Sequence, residues 1–283
     1  MPLPTEKRKL QRYPANTLGR DFVVGDLHGC IEEFLLLLKL IKFDESTDRV
    51  FSVGDLVDRG PFSKLCAELI YRPWFYAIKG NHEDMMINTV LHDDRNASGT
   101  WYSNGGMWAI TEDKTEMFDI STDLDALPLV IVVGEGANRF NIVHAELMHG
   151  TGGNEYGIGT RVPVTDQMID DWVFTPFEED AMIWGRSIIS NGHPTFPPPA
   201  HQLWHDLDKM SLTYVGHTPV RETVICQRQM YIDNGAVFHH KSSNKSHDNK
   251  LVIASPSERV VYQWVMATEQ MHVIPYDQIQ QLA

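Results

Sequence analysis

The chain is short of cysteine, of positive charge and of uninterrupted apolar sequence, and each shortage excludes a class of protein. Its 283 residues include three scattered cysteines, Cys30, Cys66 and Cys226, with no CxxC pair among them. That excludes a disulfide framework, and a reducing, cytoplasmic setting is the expectation. Lysine and arginine number 24 against 38 aspartate and glutamate, a formal net charge of −14. An extended nucleic-acid surface would need the opposite balance. An acidic protein can still act on anionic esters if metal ions bring positive charge to a local site. The most apolar stretch, residues 34–43, is interrupted by Lys39 and Lys42. It is too short and too charged to cross a membrane, and it reads as a buried helix. The N-terminus is charged and lacks the apolar stretch of a signal peptide. No internal repeat is present.

What the chain does have is material for a core: 42% of its residues are hydrophobic, the composition of an ordinary globular protein. Residues 1–20 read as a polar N-terminal arm carrying Lys7, Arg8, Lys9 and Arg12. From Asp21 a regular pattern begins. Asp21-Phe-Val-Val ends in Gly25-Asp26, a helical stretch covers 31–41, and Arg49-Val-Phe-Ser-Val ends in Gly54-Asp55. A second helical stretch covers 62–72, and Trp74-Phe-Tyr-Ala-Ile leads to Gly80-Asn81. Strand, helix, strand, helix, strand is the signature of α/β layering, and sites form past the carboxyl ends of such strands. The second half reads as strands: a hairpin over 129–144, then short strands at 212–215, 230–232, 251–254 and 260–264, with a polar hairpin tip over 239–250. The expectation is one domain over 21–283, a two-layered β-sandwich flanked by helices, with insertions near 148–182 and 190–210 acting as lids or binding loops.

Three motifs stand at the ends of the first three strands: Gly25-Asp26-Leu-His28-Gly29, Gly54-Asp55-Leu-Val-Asp58-Arg59-Gly60 and Gly80-Asn81-His82-Glu83. Each alone is modest evidence; three in order, each on a strand-to-helix turn, is a strong signal. Asp26 and His28 lie two apart on a turn, so an oxygen and an imidazole can reach one cation. Asp55 has two oxygens and can bridge that cation to a second. Asn81 offers an amide oxygen, and His144 and His217 each follow an apolar strand. Oxygen and nitrogen ligands without thiolate suit manganese, iron or zinc. Two such ions about 3.5–4 Å apart can hold a bridging hydroxide and the phosphate oxygens for in-line hydrolysis of a phosphoester.

These motifs resemble the signature GDxHG, GDxVDRG, GNHE of the PPP-type, calcineurin-like metallophosphatases. Ile183-Trp-Gly-Arg186, Gly216-His-Thr-Pro219 and Ile232-Asp-Asn-Gly-Ala-Val-Phe238 resemble the bacterial and phage-lambda-type branch. The resemblance covers residues 21–238. It implies that Asp26, His28 and Asp55 hold one metal and that Asp55, Asn81, His144 and His217 hold the other, with manganese first and iron or zinc as alternatives. It implies His82 as general acid to the leaving alkoxide, with Asp58 orienting it. Arg59 and Arg186 would grip the phosphoryl oxygens, and water would attack directly, without a covalent intermediate.

Other readings stand beside these. Asp58 also fits a helix N-cap. Arg161 or Arg221 could serve the phosphate in place of Arg186. Glu83 reads as capping its helix rather than as an acid or base. His149, His193, His201, His205, His239 and His240 read as surface or loop residues, and the aromatics of 172–177 as core of a lid. The expected substrate is a phosphoprotein or a small phosphoester. Diadenosine tetraphosphate hydrolases share GDxHGC, matched by Cys30, and GDLVDRGP, matched by Pro61, but usually carry Asp at the place of Glu83. They and the RNA-end phosphatases are the alternatives on the same scaffold; a metal-binding scaffold without activity is the alternative of another class.

Overall fold

In the computed structural model, residues 9–151, 160–190, 193–194, 209–241 and 249–282 are described. The first half contains strands β1 (Leu10–Tyr13), β2 (Asp21–Val24), β3 (Arg49–Ser52), β4 (Phe75–Ala77), β5 (Val130–Val133) and β6 (Phe140–Val143). The second half contains β7 (His149–Thr151), β8 (Thr160–Val162), β9 (Ile189–Ser190), β10 (His193–Pro194), β11 (Thr213–Val215), β12 (Val224–Cys226) and β13 (Gln229–Tyr231). It ends with β14 (Lys250–Ser255), β15 (Val260–Val265), β16 (Gln270–Pro275) and β17 (Gln280–Leu282). The α-helices are α1 (Ile31–Leu40), α2 (Ser63–Ala67), α3 (Asn81–Val90), α4 (Arg95–Ser103), α5 (Lys114–Asp125), α6 (Asp166–Asp171), α7 (Pro176–Trp184) and α8 (Phe238–Lys241).

Two mixed sheets face each other. One has the order β16-β15-β14-β2-β3-β4, the other β1-β5-β6-β11-β13-β12-β17. The strands β2, β3 and β4 run parallel, as do β6, β11 and β13. Alternation along each strand explains the continuous apolar runs. In β2, Val23 enters the layer between the sheets, with Phe51, Ile142 and Met230, while Phe22 and Val24 face the helices. In β5, Ile131 and Val133 face the inter-sheet layer while Val130 and Val132 turn to the other side, against Ile169, Phe174 and Met182. Strands buried on both faces lose the polar half of the period-two pattern. The result is a four-layered arrangement, with helices outside two sheets.

Several expectations change on inspection. Leu10–Tyr13, inside the stretch read as an arm, is an edge strand paired in parallel with β5. Helix α1 buries Ile31, Phe34, Leu37 and Leu38 but leaves Leu35, Leu36 and Leu40 exposed, because a helix lying on a sheet covers only one stripe. The expected hairpin tip over 239–250 begins as the helical turn α8 and ends inside β14; residues 242–248 lie outside the described residues. The polar stretch 148–182 contains a β-ribbon of β7 with β8 and two helices. Trp172 and Phe174 pack there with ring centroids 5.5 Å apart, on the outer face of the seven-stranded sheet. Most of 190–210 lies outside the described residues. Among the described residues, no helix is long and apolar enough to cross a membrane.

Candidate functional site

The carboxyl ends of the parallel strands from both sheets open toward one cleft. Asp26 and His28 follow β2, Asp55, Asp58 and Arg59 follow β3, and Asn81 and His82 open α3 just after β4. His144 follows β6 and His217 follows β11. The turns that carry them are strained. Of the twelve non-glycine residues at positive φ among the described ones, five are His28, Asp55, Asp58, Arg59 and His217. Such conformations cost energy and concentrate where a side chain must be aimed. Two glycines allow the close approach. A Cβ on Gly216 would lie 2.0 Å from Asp26 Oδ1, and one on Gly80 would lie 2.3 Å from Asp55 Oδ1.

Hydrogen bonds fix the imidazoles with their free nitrogens facing inward. His28 Nδ1 donates to the carbonyl of Val57 at 2.8 Å, and His144 Nδ1 donates to the carbonyl of Val53 at 2.7 Å. Each Nε2 is then an unprotonated acceptor. His144 Nε2 lies 3.0 Å from Asn81 Oδ1 and 3.3 Å from Asp55 Oδ1. Burial lowers the pKa of His144, so this imidazole is neutral and its lone pair faces two oxygens. Acceptors converging without a donor between them suit a cation, and a backbone carbonyl on the opposite nitrogen is the usual partner of a metal-binding histidine. His217 Nδ1 reaches the same Asn81 oxygen at 2.8 Å, and burial beside His144 and Arg186 lowers its pKa to about 2. His28 Nε2 accepts from Arg59 Nη1 at 2.6 Å and lies 3.4 Å from Asp55 Oδ2.

The carboxylates carry the same message. Asp26, Asp55 and Asp233 are all buried. Burial, then the charges of Asp233 and Asp55, raises the pKa of Asp26 well above the ordinary carboxylate range. Burial also raises Asp233 to about 6. Asp55 goes the other way: burial alone would raise it, but the histidines 144, 82 and 28 and Arg59 together hold it low. Negative charge crowded out of water is relieved by a bound cation. Of three groups of close ligand atoms among the described residues, two share Asp55 here, one of His28, Asp55 and His82 and one of Asp55, His144 and His217; the third, Cys30, Glu33 and His240, lies apart from these ligands. These residues fit a pair of divalent ions sharing Asp55. The backbone N–H of His217 donates to both oxygens of Asp26, at 3.2 and 3.1 Å, which ties the two strand ends together.

His82 faces the same space from a second arrangement. Its Nδ1 lies 2.6 Å from Asp58 Oδ2, and its Nε2 is buried with no hydrogen-bond partner among the described residues. Asp58 is not a helix N-cap. Its carboxylate accepts from Trp101 Nε1 at 3.0 and 2.9 Å and from Trp108 Nε1 at 2.8 Å, while its own N–H donates to Ser63 Oγ. Glu83 binds four backbone N–H groups, those of Asp55, Leu56, Val57 and Gly80. It caps α3 and at the same time fastens the turn after β3. Its burial beside Asp55 raises its pKa to about 7.

The two arginines differ. Arg59 contacts His28 as above, and its N–H faces the carbonyl of Gly105 at 3.5 Å. Arg186 is exposed and donates to the carbonyl of His217 at 3.1 Å, so the cleft edge does include it. Its loop is held from beneath by buried Glu146, which accepts from the backbone of Ser187 and Ile188. Arg221 is exposed, with no side-chain partner among the described residues, and the side chain of Arg161 lies outside them. Of the remaining histidines, His149 pairs with Glu178 at 3.0 Å and His240 with Glu33 at 3.1 Å. The sequence reading missed Trp101, Trp108, Glu146 and Asp233. Asp233 stood in the quoted segment Ile232–Phe238 and could have been noticed there; nothing in the sequence marks the two tryptophans or Glu146.

Comparison with known proteins agrees with this geometry. The family model for calcineurin-like phosphoesterases matches residues 22–221. The chain is 29% identical over 224 residues to serine/threonine-protein phosphatase 2 of Salmonella typhimurium strain LT2, covering 76% of this chain and 87% of that one. It is 42% identical to a symmetrical bis(5'-nucleosyl)-tetraphosphatase of Actinobacillus pleuropneumoniae serotype 3, over 72 residues, 25% of this chain and 27% of that one. A Saccharomyces cerevisiae protein serine/threonine phosphatase similar to human PP5 superposes with a TM-score of 0.56 at 14% identity, covering 96% of this chain and 85% of the other.

Proposed function

The chain belongs to the calcineurin-like phosphoesterase family, a family of dinuclear-metal hydrolases, and from that premise we propose that it removes phosphate from phosphoserine and phosphothreonine in proteins, and from small phosphomonoesters. In this reading Asp26, His28 and Asp55 hold one divalent ion and Asp55, Asn81, His144 and His217 the other, with manganese the proposed native metal and iron or zinc the alternatives. When bound, the ions supply the positive charge that polarises the phosphoryl group and activates the attacking water. The residues of the chain do the rest. Arg59 and Arg186 orient the phosphoryl oxygens with paired N–H donors. His82 gives a proton from Nε2 to the leaving alkoxide, and Asp58 holds the imidazole in place through Nδ1.

The observation that carries this reading is the buried His82 Nε2, without a partner among the described residues, beside the converging ligand set. A serine or threonine alkoxide is a poor leaving group and needs such a donor. The degree of likeness points the same way: the Salmonella phosphatase is 29% identical over 76% of the chain, and an asymmetrical bis(5'-nucleosyl)-tetraphosphatase of Anoxybacillus flavithermus is 25% identical over the same share. Glu83 supports it as well, since the tetraphosphatase motif has the shorter aspartate there.

The test is a substrate panel on protein loaded with defined metal. Phosphate release from a phosphoserine peptide with Mn²⁺ is the expected result. Faster cleavage of diadenosine tetraphosphate to ADP would transfer the chain to the nucleotide branch, and faster loss of terminal or cyclic phosphate from RNA to the RNA-end branch. No release from the peptide with Mn, Fe or Zn would refute the proposal.

A further inference from the structure

The parallel strands that deliver the catalytic loops begin at a second cavity. Asp21 opens β2 and Phe140 opens β6; both line a cavity of about 700 Å³, as do Leu212, just before β11, and Arg228, just before β13. The metal-ligand candidates follow the other ends of β2, β6 and β11. A four-residue strand spans about 13 Å, so cavity and catalytic cleft are distinct sites at opposite ends of the sandwich. The volume falls in the range of small-molecule sites.

The polar groups of this cavity are unevenly matched. Its two carboxylates are engaged: Asp21 accepts two hydrogen bonds from Arg49, and Asp166 accepts from Ser211 and Asn141 and lies 3.4 Å from Arg139. Two of its guanidiniums have no carboxylate partner among the described residues. Arg228 donates through Nε to the carbonyl of Met210 at 3.1 Å, and Arg259 lies 5.6 Å from the centre of the Tyr276 ring. Neither forms an ion pair among the described residues. On the floor, the hydroxyls of buried Tyr214 and Tyr276 are 2.8 Å apart. That pair uses one hydroxyl proton and leaves the other as a spare donor. Uncompensated donors therefore gather in one cavity of a chain whose net charge is −14. The backbone adds a second observation. Arg228 and Arg259 both sit at positive φ, +63° and +54°, and the turn residue Gln227 does so too, at +49°. Such turns favour glycine or asparagine, and a held strained conformation points to function.

We propose that this cavity binds a small ligand through an oxyanion head, phosphate or carboxylate, gripped by Arg228 and Arg259 with the tyrosine pair beneath. Guanidinium matches either oxyanion with two parallel N–H donors. The site is separate from the hydrolytic centre and does not depend on the substrate proposed for it.

The experiment is thermal unfolding of the metal-loaded protein titrated with inorganic phosphate and, separately, with succinate, which distinguishes the two heads. Bound ligand raises the midpoint in a saturable way. The expected result is a saturable rise with at least one probe. It should persist in Arg59→Ala, whose change lies in the catalytic cleft, and in the double variant Arg228→Ala/Arg259→Ala it should drop to the part that phosphate gains at the metal ions, and vanish for succinate, while the hydrolytic rate without probe stays at the parent level. Should the double variant fail to fold, the single change Arg259→Gln carries the same expectation. A rise with neither probe, a rise undiminished by loss of both arginines, or one lost in Arg59→Ala overturns the proposal.

Discussion

The two ends of the catalytic cleft are built differently. At one end, His82, Asp58 and Trp101 are almost wholly out of solvent and hold one another by short hydrogen bonds. At the other, Arg186 stands exposed beside Trp184, held among the described residues by a bond to a backbone carbonyl and by the loop that Glu146 fastens. The first end is a continuation of the core; the second is an edge carried on the loop after α7. Chemistry that must be the same for every phosphoester can be locked into a core. Recognition that must differ between substrates is better placed on a loop over a rigid scaffold.

The largest test of the contrast is Asp58→Asn. An amide N–H turned toward Nδ1 of His82 sets the wrong imidazole tautomer. The expected loss in kcat is about 10²–10⁴-fold for an alkyl phosphate, and much less for p-nitrophenyl phosphate, whose leaving group needs no proton. Equal losses on the two substrates would detach Asp58 from His82. Next comes Glu83→Ala, which leaves four buried backbone N–H groups without their acceptor. Unsatisfied buried groups cost about 1–3 kcal/mol each before relaxation, so urea unfolding should show a loss of about 3 kcal/mol or more. A change under about 1 kcal/mol would mean that water replaces the carboxylate easily and that the locked end is looser than it looks.

Arg186→Ala probes the open end. A hydrogen bond to a charged group contributes about 1.5–3 kcal/mol, and exposure puts Arg186 at the lower limit, so kcat/KM should fall roughly 10-fold. The thermal midpoint should hardly move. A loss as large as that of Asp58→Asn would erase the distinction between the ends.

The same contrast governs what could be read from the sequence. The ends of β2, β3 and β4 were legible because a short apolar strand followed by Gly-Asp or Gly-Asn leaves few alternatives. His144 and His217 were legible because each ends an apolar run. The helices α4 and α5 were not foreseen. Their patterning is weak, and α4 begins and ends among polar residues that resemble a loop. Helix α7 could have been found, since Thr175-Pro-Phe-Glu178 forms a capping box. The ligands of Asp58 could not: Trp101 and Trp108 lie more than forty residues away in sequence and come together only through the packing of α4 on α3. The direction of burial in α1 was likewise hidden, because leucine occupies both of its faces.

Those two tryptophans supply the finest test. Trp108→Phe keeps an aromatic ring but removes one indole N–H from Asp58 Oδ1. Trp101 is the less clean choice, since its fully buried ring also packs in the core and its loss would move stability and positioning together. A hydrogen bond to a carboxylate contributes about 1.5–3 kcal/mol, but Asp58 keeps its bonds from Trp101 and to His82 and only part of the loss reaches the transition state, so kcat on an alkyl phosphate should fall roughly 3–10-fold. The fall on p-nitrophenyl phosphate should be smaller, because a slack Asp58 matters only where His82 must deliver a proton. Phenylalanine is the conservative replacement here. A side chain that merely filled space would shift the unfolding midpoint and slow both substrates alike. If the ratio of the two rates does not change, Trp108 belongs to the wall of the cleft and not to the positioning of its acid, and the locked end reduces to His82, Asp58 and Trp101.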